Sequence, residues 1–122
     1  GEVWKNISLE YDKKNCNFNK INEVLKLVRL KINPEFELFS NGQNLSGGQK
    51  QRLILARALY FSKKIIILDE STNELDDEVE GQILNDFKKI KGIAVVIVSH
   101  KKSTIKYCDK KYNLEDKKLI LQ

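Results

Sequence analysis

The clearest indication of the fold is the run Ile65-Ile66-Ile67-Leu68-Asp69-Glu70. A short, β-branched apolar run of this kind predicts a strand that is buried on both faces of a parallel sheet. Open α/β sheets bind ligands at the carboxyl ends of such strands, so Asp69 and Glu70 are candidate functional residues. One carboxylate could hold Mg²⁺, and the other could orient or deprotonate a water molecule. The plainer alternative is that both acids cap a helix or face solvent.

A second strand is predicted farther along the chain. Residues 76–90 predict an amphipathic helix whose first turn is rich in acids, which suit the positive end of the helix dipole. Gly92 ends this helix, and the apolar run 93–98 predicts a strand that is parallel to the first. His100 follows this strand, beside the predicted acidic site. Because a lone histidine is often only structural, both a catalytic and a structural interpretation stay open for it.

The run Leu45-Ser46-Gly47-Gly48-Gln49-Lys50-Gln51-Arg52 predicts the start of another helix. Ser46 and Gln49 match a capping box. Gly47 and Gly48 leave backbone N–H groups unshielded at the positive end of the helix, so an anion can approach closely. On these residues alone, a plain serine-capped helix with a flexible entry is the alternative.

The remaining segments give weaker signals. Apolar residues from Ile21 to Ile32 recur at helical spacing, and Asn33-Pro34 should end that helix. Residues 1–20 show no clear period. Near the carboxyl end we expect a short helix at 103–107 and two brief strands at 111–114 and 119–121.

Composition favours an ordinary soluble domain. The 122 residues include 22 Lys plus Arg and 17 Asp plus Glu, a net charge of +5. The lysines are scattered in pairs and do not concentrate on one face or tail, so we expect solvated surface and no nucleic-acid partner. The longest apolar runs are far shorter than the roughly 20 residues of a membrane span.

Together the motifs resemble those of ATP-binding-cassette (ABC) transporter ATPases. The run 45–52 resembles their signature motif, 65–70 their Walker B strand, 71–76 their D-loop, and 98–100 their switch-histidine segment. Their order and spacing match over residues 40–122. Within the family, the stretches around the signature and after His100 look most like exporters.

The resemblance implies an α/β fold, with part of a P-loop NTPase (RecA-like) parallel sheet and part of an α-helical subdomain. Residues 1–60 would be the helical-subdomain portion that ends in the signature helix, and residues 61–122 would be the carboxyl-terminal part of the core.

The resemblance also implies a role for each matching residue. The γ-phosphate of an ATP held mainly by the opposite subunit would be contacted by Ser46, Gly47, Gly48 and Gln49. Asp69 would support Mg²⁺ through water, and Glu70 would be the general base. His100 would contact the γ-phosphate, and Asp76 would lie at the dimer interface.

The sequence contains no Gly-x-x-x-x-Gly-Lys-Ser/Thr phosphate loop. We therefore expect the carboxyl-terminal part of a nucleotide-binding domain, unable to hydrolyse ATP by itself. The implied partners are the amino-terminal half with its Walker A loop, a second nucleotide-binding domain in a head-to-tail dimer, and transporter membrane domains. The implied location is the cytoplasmic face of a membrane. Ser71 and Glu74 replace the usual residues of the D-loop.

A further expectation concerns the 93–98 strand. In the family's sheet, the strand that carries the phosphate loop lies beside it. Without that neighbour the strand becomes an exposed edge, which can pair with another chain. We therefore expect the isolated chain to dimerise or to swap elements.

Two rival interpretations stay open. The first is one half of the split ATPase head of a chromosome-maintenance or DNA-repair protein, which also separates the signature and Walker B motifs from the phosphate loop. Residues before 40 lack the sustained heptads of a coiled coil, which weighs against it. The second is a non-catalytic interaction module that retains the motifs, although intact Glu70 and His100 argue against degeneration.

Overall fold

The computed structural model describes all 122 residues. The chain forms five α-helices and four strands, together with two short 3-10 turns at Lys13–Asn15 and Ser40–Gly42. In chain order the elements are α1 Val3–Ser8, α2 Phe18–Leu27, α3 Gly47–Phe61, β1 Ile65–Asp69, α4 Asp77–Lys88, β2 Ala94–Val98, α5 Lys102–Ile105, β3 Tyr112–Glu115 and β4 Lys118–Leu121. No helix has both the length and the apolar character that crossing a membrane requires.

The strand–helix–strand unit predicted from the sequence is confirmed. Strands β1 and β2 pair in parallel, with a register that runs from Ile65 opposite Ala94 to Asp69 opposite Val98. Asp69 and Val98, the last residues of the two strands, lie opposite each other. Both strands therefore end at the same end of the sheet. The two strands expected near the carboxyl end are present as β3 and β4, and they form a separate antiparallel hairpin.

The prediction that β1 is buried on both faces was wrong for this chain. Ile66 and Leu68 are buried, but Ile65 is 62% and Ile67 is 69% exposed. The outward side chains of β2 share this side of the sheet, and Val96 and Val98 are about half exposed. We call Ile65, Ile67, Val96 and Val98 the open sheet face. Strand β1 is the only strand paired with β2, so the other edge of β2 is unpaired, as expected.

Helix α2 ends earlier than the sequence suggested. The apolar spacing predicted a helix up to Ile32, but α2 stops at Leu27. Arg29 adopts a left-handed conformation with φ +57°. The Leu30 N–H then donates to the Leu25 carbonyl at 3.0 Å, which is the six-to-one bond of a Schellman-type helix end. The chain therefore turns away well before Asn33-Pro34.

Residues 1–20 contain a helix that the sequence analysis missed. Helix α1 buries Val3, Trp4 and Ile7 on one side. Its amino end is held by the loop that contains Pro34, whose carbonyl accepts a hydrogen bond from the Trp4 N–H at 2.8 Å. A helix of six residues is too short to show a helical period clearly, although the apolar residues 3, 4 and 7 do follow one.

The core is a single cluster of 19 buried hydrophobic residues. It joins side chains of α1, α2 and α3 with Ile66 and Leu68 of β1 and with Ile83 and Phe87 of α4. Helical and sheet parts of the chain therefore share one core. The division at residue 60 stays a prediction.

Candidate functional site

The start of α3 has the capping box that the sequence predicted. The Gln49 N–H donates to the Ser46 hydroxyl at 3.2 Å, and the Ser46 N–H donates to the Gln49 side-chain oxygen at 2.9 Å. The N–H groups of Gly47 and Gly48 have no hydrogen-bond acceptor in the chain. Ser46 and Gly47 are also exposed. The helix therefore presents two free backbone donors at its positive end.

The two glycines also allow a close approach that sequence reasoning did not foresee. The segment 71–76 crosses the start of α3, and the Glu74 N–H donates to the Gln51 side-chain oxygen at 2.9 Å. A Cβ atom at Gly47 would lie 2.9 Å from a Glu74 carboxylate oxygen. One at Gly48 would lie 3.3 Å from the Glu74 carbonyl oxygen. The glycine pair thus leaves room for the close approach of the 71–76 segment.

Glu70 and His100 are brought together at the ends of the parallel strands, as predicted. Glu70 continues the ladder of β1, because its N–H donates to the Val98 carbonyl at 2.9 Å. A Glu70 carboxylate oxygen lies 3.5 Å from His100 Nε2. The Glu70 side chain is 48% and the His100 side chain 93% exposed, so both are open to solvent.

The backbone of Glu70 is unusual. Its φ is +49°, a left-handed conformation that is costly for a residue with a side chain. This turn directs the chain away from the strand and into the 71–76 segment. No residue signals this turn in advance, because a left-handed turn is usually marked by glycine or asparagine.

The remaining predicted acids are exposed and free of partners. No hydrogen bond or ion pair engages the Asp69 carboxylate. Asp76 occupies the N-cap position of α4, but its side chain makes no capping bond. Neither Asp69 nor Glu70 caps a helix, so that part of the plainer interpretation does not apply.

The site residues form two groups. No hydrogen bond or ion pair joins residues 46–49 at the start of α3 to Asp69, Glu70 or His100. The 71–76 segment directly follows Glu70 in the chain and contacts the start of α3 through Glu74.

The chain offers no complete cage for a metal ion, since no group of three or more His, Cys, Asp or Glu side chains is arranged to hold one. Mg²⁺ is commonly bound through one or two carboxylates, with waters and substrate phosphates supplying the other ligands. The free Asp69 carboxylate and the neighbouring Glu70 fit that shared mode.

Sequence reasoning missed a buried ion pair next to the site. The Lys101 ammonium lies 3.0 Å from the carboxylate of Glu80, whose side chain is fully buried. Burial alone would raise the pKa of Glu80, but hydrogen bonds from Thr104 and Lys101 together hold that pKa below its usual range. A signal was present in the sequence: Glu80 stands at the head of the stripe formed by Ile83, Leu84 and Phe87. A carboxylate in line with an apolar stripe needs a cationic partner.

Comparison with known proteins identifies the family. A family model described as ABC transporter matches residues 2–73, more than half of the chain. The matched range includes the start of α3, strand β1 and Glu70. The chain belongs to the ABC transporter family.

Individual relatives agree with this assignment. The α-hemolysin translocation ATP-binding protein HlyB of Escherichia coli is 45% identical over 82 residues, which cover 66% of this chain and 12% of HlyB. The methionine import ATP-binding protein MetN of Clostridium acetobutylicum is 39% identical over 112 residues, covering 86% of this chain and 34% of MetN. The chain therefore spans about a third or less of these ABC relatives.

A solved structure agrees as well. A bacterial Atm1-family ABC exporter with ATP bound superposes with a TM-score of 0.81 at 25% identity, over 97% of this chain and 22% of the exporter chain. The predicted fold class, a partial α/β P-loop NTPase fold with added helices, is confirmed.

Proposed function

We propose that this ABC-family chain is the carboxyl-terminal part of a nucleotide-binding domain that binds and hydrolyses ATP in a head-to-tail dimer and so drives export across a membrane. The observation that carries the proposal is the pairing of Glu70 and His100 at 3.5 Å, at the ends of two parallel strands. In this proposal residues 1–60 belong to the helical subdomain and residues 61–122 to the core.

Hydrolysis needs a base for the attacking water and a group that holds the γ-phosphate. Glu70 is the base in our proposal, and its half-exposed carboxylate is open to water. His100 holds the γ-phosphate, since a neighbouring imidazole N–H can donate to a phosphate oxygen. Asp69 supports Mg²⁺, which neutralises developing phosphate charge when it is bound.

The start of α3 acts on an ATP that the other subunit holds. Gly47 and Gly48 have free N–H donors, and the hydroxyl of Ser46 and the side chain of Gln49 lie beside them. A helix start of this kind suits a phosphate group. The lack of any direct link to Asp69, Glu70 or His100 supports a role in the opposite site. Asp76, whose exposed side chain is not used for capping, meets the second subunit.

Two partners remain: an amino-terminal half, which carries the Walker A loop, and the membrane domains of the transporter. The nucleotide-binding domain lies at the cytoplasmic face of the membrane in this proposal. Export is supported by the exporter that the chain superposes on and by HlyB, which is named for translocation. MetN is named for import, so the direction rests on the exporter-like style of the motifs as well. The chromosome-maintenance alternative is not favoured, because these relatives are transport proteins.

Replacing Glu70 tests the proposal. In the full-length protein, Glu70→Gln keeps the shape of the side chain but removes the base, so we expect ATP turnover to fall by roughly 10²–10⁴-fold. ATP binding should be retained, which a nucleotide-binding measurement checks. Glu78→Gln, the same change at an exposed position of α4, is the control and should leave turnover unchanged. Equal turnover of the two variants would contradict the role of Glu70.

A further inference from the structure

Lys101 directly follows His100 and anchors the loop that carries it. The Lys101 ammonium donates to the Leu75 carbonyl at 2.9 Å. It also lies 2.9 Å from an Asp77 carboxylate oxygen and 3.0 Å from a Glu80 carboxylate oxygen. One side chain thus fastens the loop after β2 both to the 71–76 segment and to the first turn of α4.

The acceptors of this anchor are themselves fixed. Glu80 is fully buried and also accepts a hydrogen bond from the Thr104 hydroxyl at 2.6 Å. The Ser103 hydroxyl donates to Asp77 at 3.2 Å. The start of α5 therefore closes over the same carboxylates. A buried charge that loses its partner is costly, which holds Lys101 in place.

A close approach of neighbouring elements strengthens the anchor. A Cβ atom at Gly81, the residue after Glu80, would lie only 2.1 Å from the Tyr107 hydroxyl oxygen. Only a glycine lets Tyr107, which follows α5, pack this closely on α4. The region after His100 is thus held against α4 by packing as well as by charge.

His100 has no comparable support of its own. Its side chain is 93% exposed, and its one close polar contact is Glu70 at 3.5 Å. Its position must therefore come from the backbone on either side. The Lys101 N–H donates to the Ser99 hydroxyl at 3.0 Å, so the Lys101 backbone is fixed next to His100 as well.

From these contacts we infer that Lys101, with Glu80 as its buried counter-charge, is a positioning residue: it anchors the loop after β2 to the 71–76 segment and so holds His100 beside Glu70. This inference rests on the proposed function. Lys101 touches neither reacting atoms nor nucleotide in this account, and it acts only through His100.

The test uses the full-length protein and steady-state ATP hydrolysis. Lys101→Met keeps the length of the side chain but removes its charge. We expect kcat to fall roughly 10- to 100-fold, because a displaced catalytic group loses alignment. KM for ATP should stay within about two-fold, since Lys101 makes no ground-state contact with ATP. Lys101→Arg, which keeps the charge, should restore most of kcat.

Two comparisons separate positioning from a general structural effect. Lys102→Met, the same change at the exposed neighbouring lysine, is the matched control and should behave like the unaltered protein. Adding Lys101→Met to His100→Ala should slow the enzyme no further than His100→Ala alone, because residues that act as a unit are not additive. Effects that multiply would show that Lys101 acts elsewhere and would overturn the inference.

The outcomes also distinguish this inference from the proposed function. If His100→Ala leaves turnover unchanged, the proposed role of His100 fails. If His100→Ala slows turnover but Lys101→Met matches Lys102→Met, only the inference about Lys101 fails. Should Lys101→Met not fold, Glu80→Gln replaces it: this variant keeps an acceptor for Thr104 but removes the counter-charge, and it should lower kcat in the same way. A normal kcat for folded Glu80→Gln would overturn the inference.

Discussion

Glu80 is a buried carboxylate that holds Lys101, the residue after His100, by an ion pair at 3.0 Å. Four acids occur between residues 76 and 80, and three of them are exposed. From their pattern alone, sequence reasoning treated all four as charges that suit the helix dipole, and only Asp76 was given a further role, by resemblance, at the dimer interface. The apolar stripe of α4 marks Glu80 as the acid that faces the core, but its partner Lys101 depends on how the loop after β2 folds back onto α4, which no local pattern encodes. The approach of Glu70 and His100 could be predicted, because parallel strands end at a common edge.

Glu80 should make the stability of the folded domain depend on pH. Its pKa is lowered in the folded state, so its charged form stabilises the fold above the unfolded pKa of about 4.3. That contribution is lost as pH falls through the lower, folded pKa. We expect the difference in free energy of unfolding between the unaltered domain and Glu80→Gln to be largest above about pH 5 and to shrink in acid.

Urea unfolding of the complete nucleotide-binding domain at several pH values measures this difference. Glu78→Gln removes an exposed carboxylate from the same turn of α4, and its effect should stay small at every pH because exposed charges contribute little. A Glu80→Gln effect that does not change with pH would contradict the stabilising role of the charge.

At the level of the elements, a side-chain hydrogen bond connects α3 to the carboxyl end of α2. Arg52 of α3 donates to the Arg29 carbonyl at 2.7 Å and to the Gly48 carbonyl at 3.2 Å. The first bond fastens α3 to the left-handed residue at which the chain leaves α2. The sequence predicted both helices but not this junction, because a left-handed arginine has no recognisable signature and its stabilising contact comes from a residue 23 positions away.

Loss of this junction should destabilise the domain measurably. Arg52→Met keeps the aliphatic stem but removes both hydrogen bonds, and we expect the free energy of unfolding to fall by about 1–3 kcal/mol. Lys50→Met, at an exposed position on the same helix, is the control and should change it by less than about 0.5 kcal/mol. Chemical denaturation compares the two. Equal effects would contradict the role of Arg52.

For the whole molecule, the open sheet face is where sequence and structure differ most. The run 65–68 is apolar throughout and therefore predicted burial on both sides. In this chain only one side has a core against it, so Ile65 and Ile67 are exposed. The prediction of a strand was therefore confirmed, and the prediction of burial on both faces was wrong.

We expect the chain to self-associate when it is studied by itself. Its open sheet face is apolar, and the free edge of β2 can pair with another strand. Val96→Lys places a charge on that face and should shift the chain towards monomer in sedimentation equilibrium. Tyr11→Lys, at a residue that is 95% exposed and outside the face, is the control and should not. A monomer at high concentration before any substitution would contradict this expectation.

The measurement that tests the central proposal most directly asks whether the start of α3 and Glu70 act on one ATP from opposite subunits. Ser46→Arg fills the phosphate site and Glu70→Gln removes the base, so each homodimer should be slow. We would purify, with two affinity tags, the full-length heterodimer that carries one variant on each subunit. It retains one complete site, so we expect it to hydrolyse ATP at least about ten-fold faster than either homodimer. A heterodimer of the double variant with the unaltered subunit has no complete site and should be slow. The reverse order of activities would mean that Ser46 and Glu70 serve the same subunit's site, and would contradict the account.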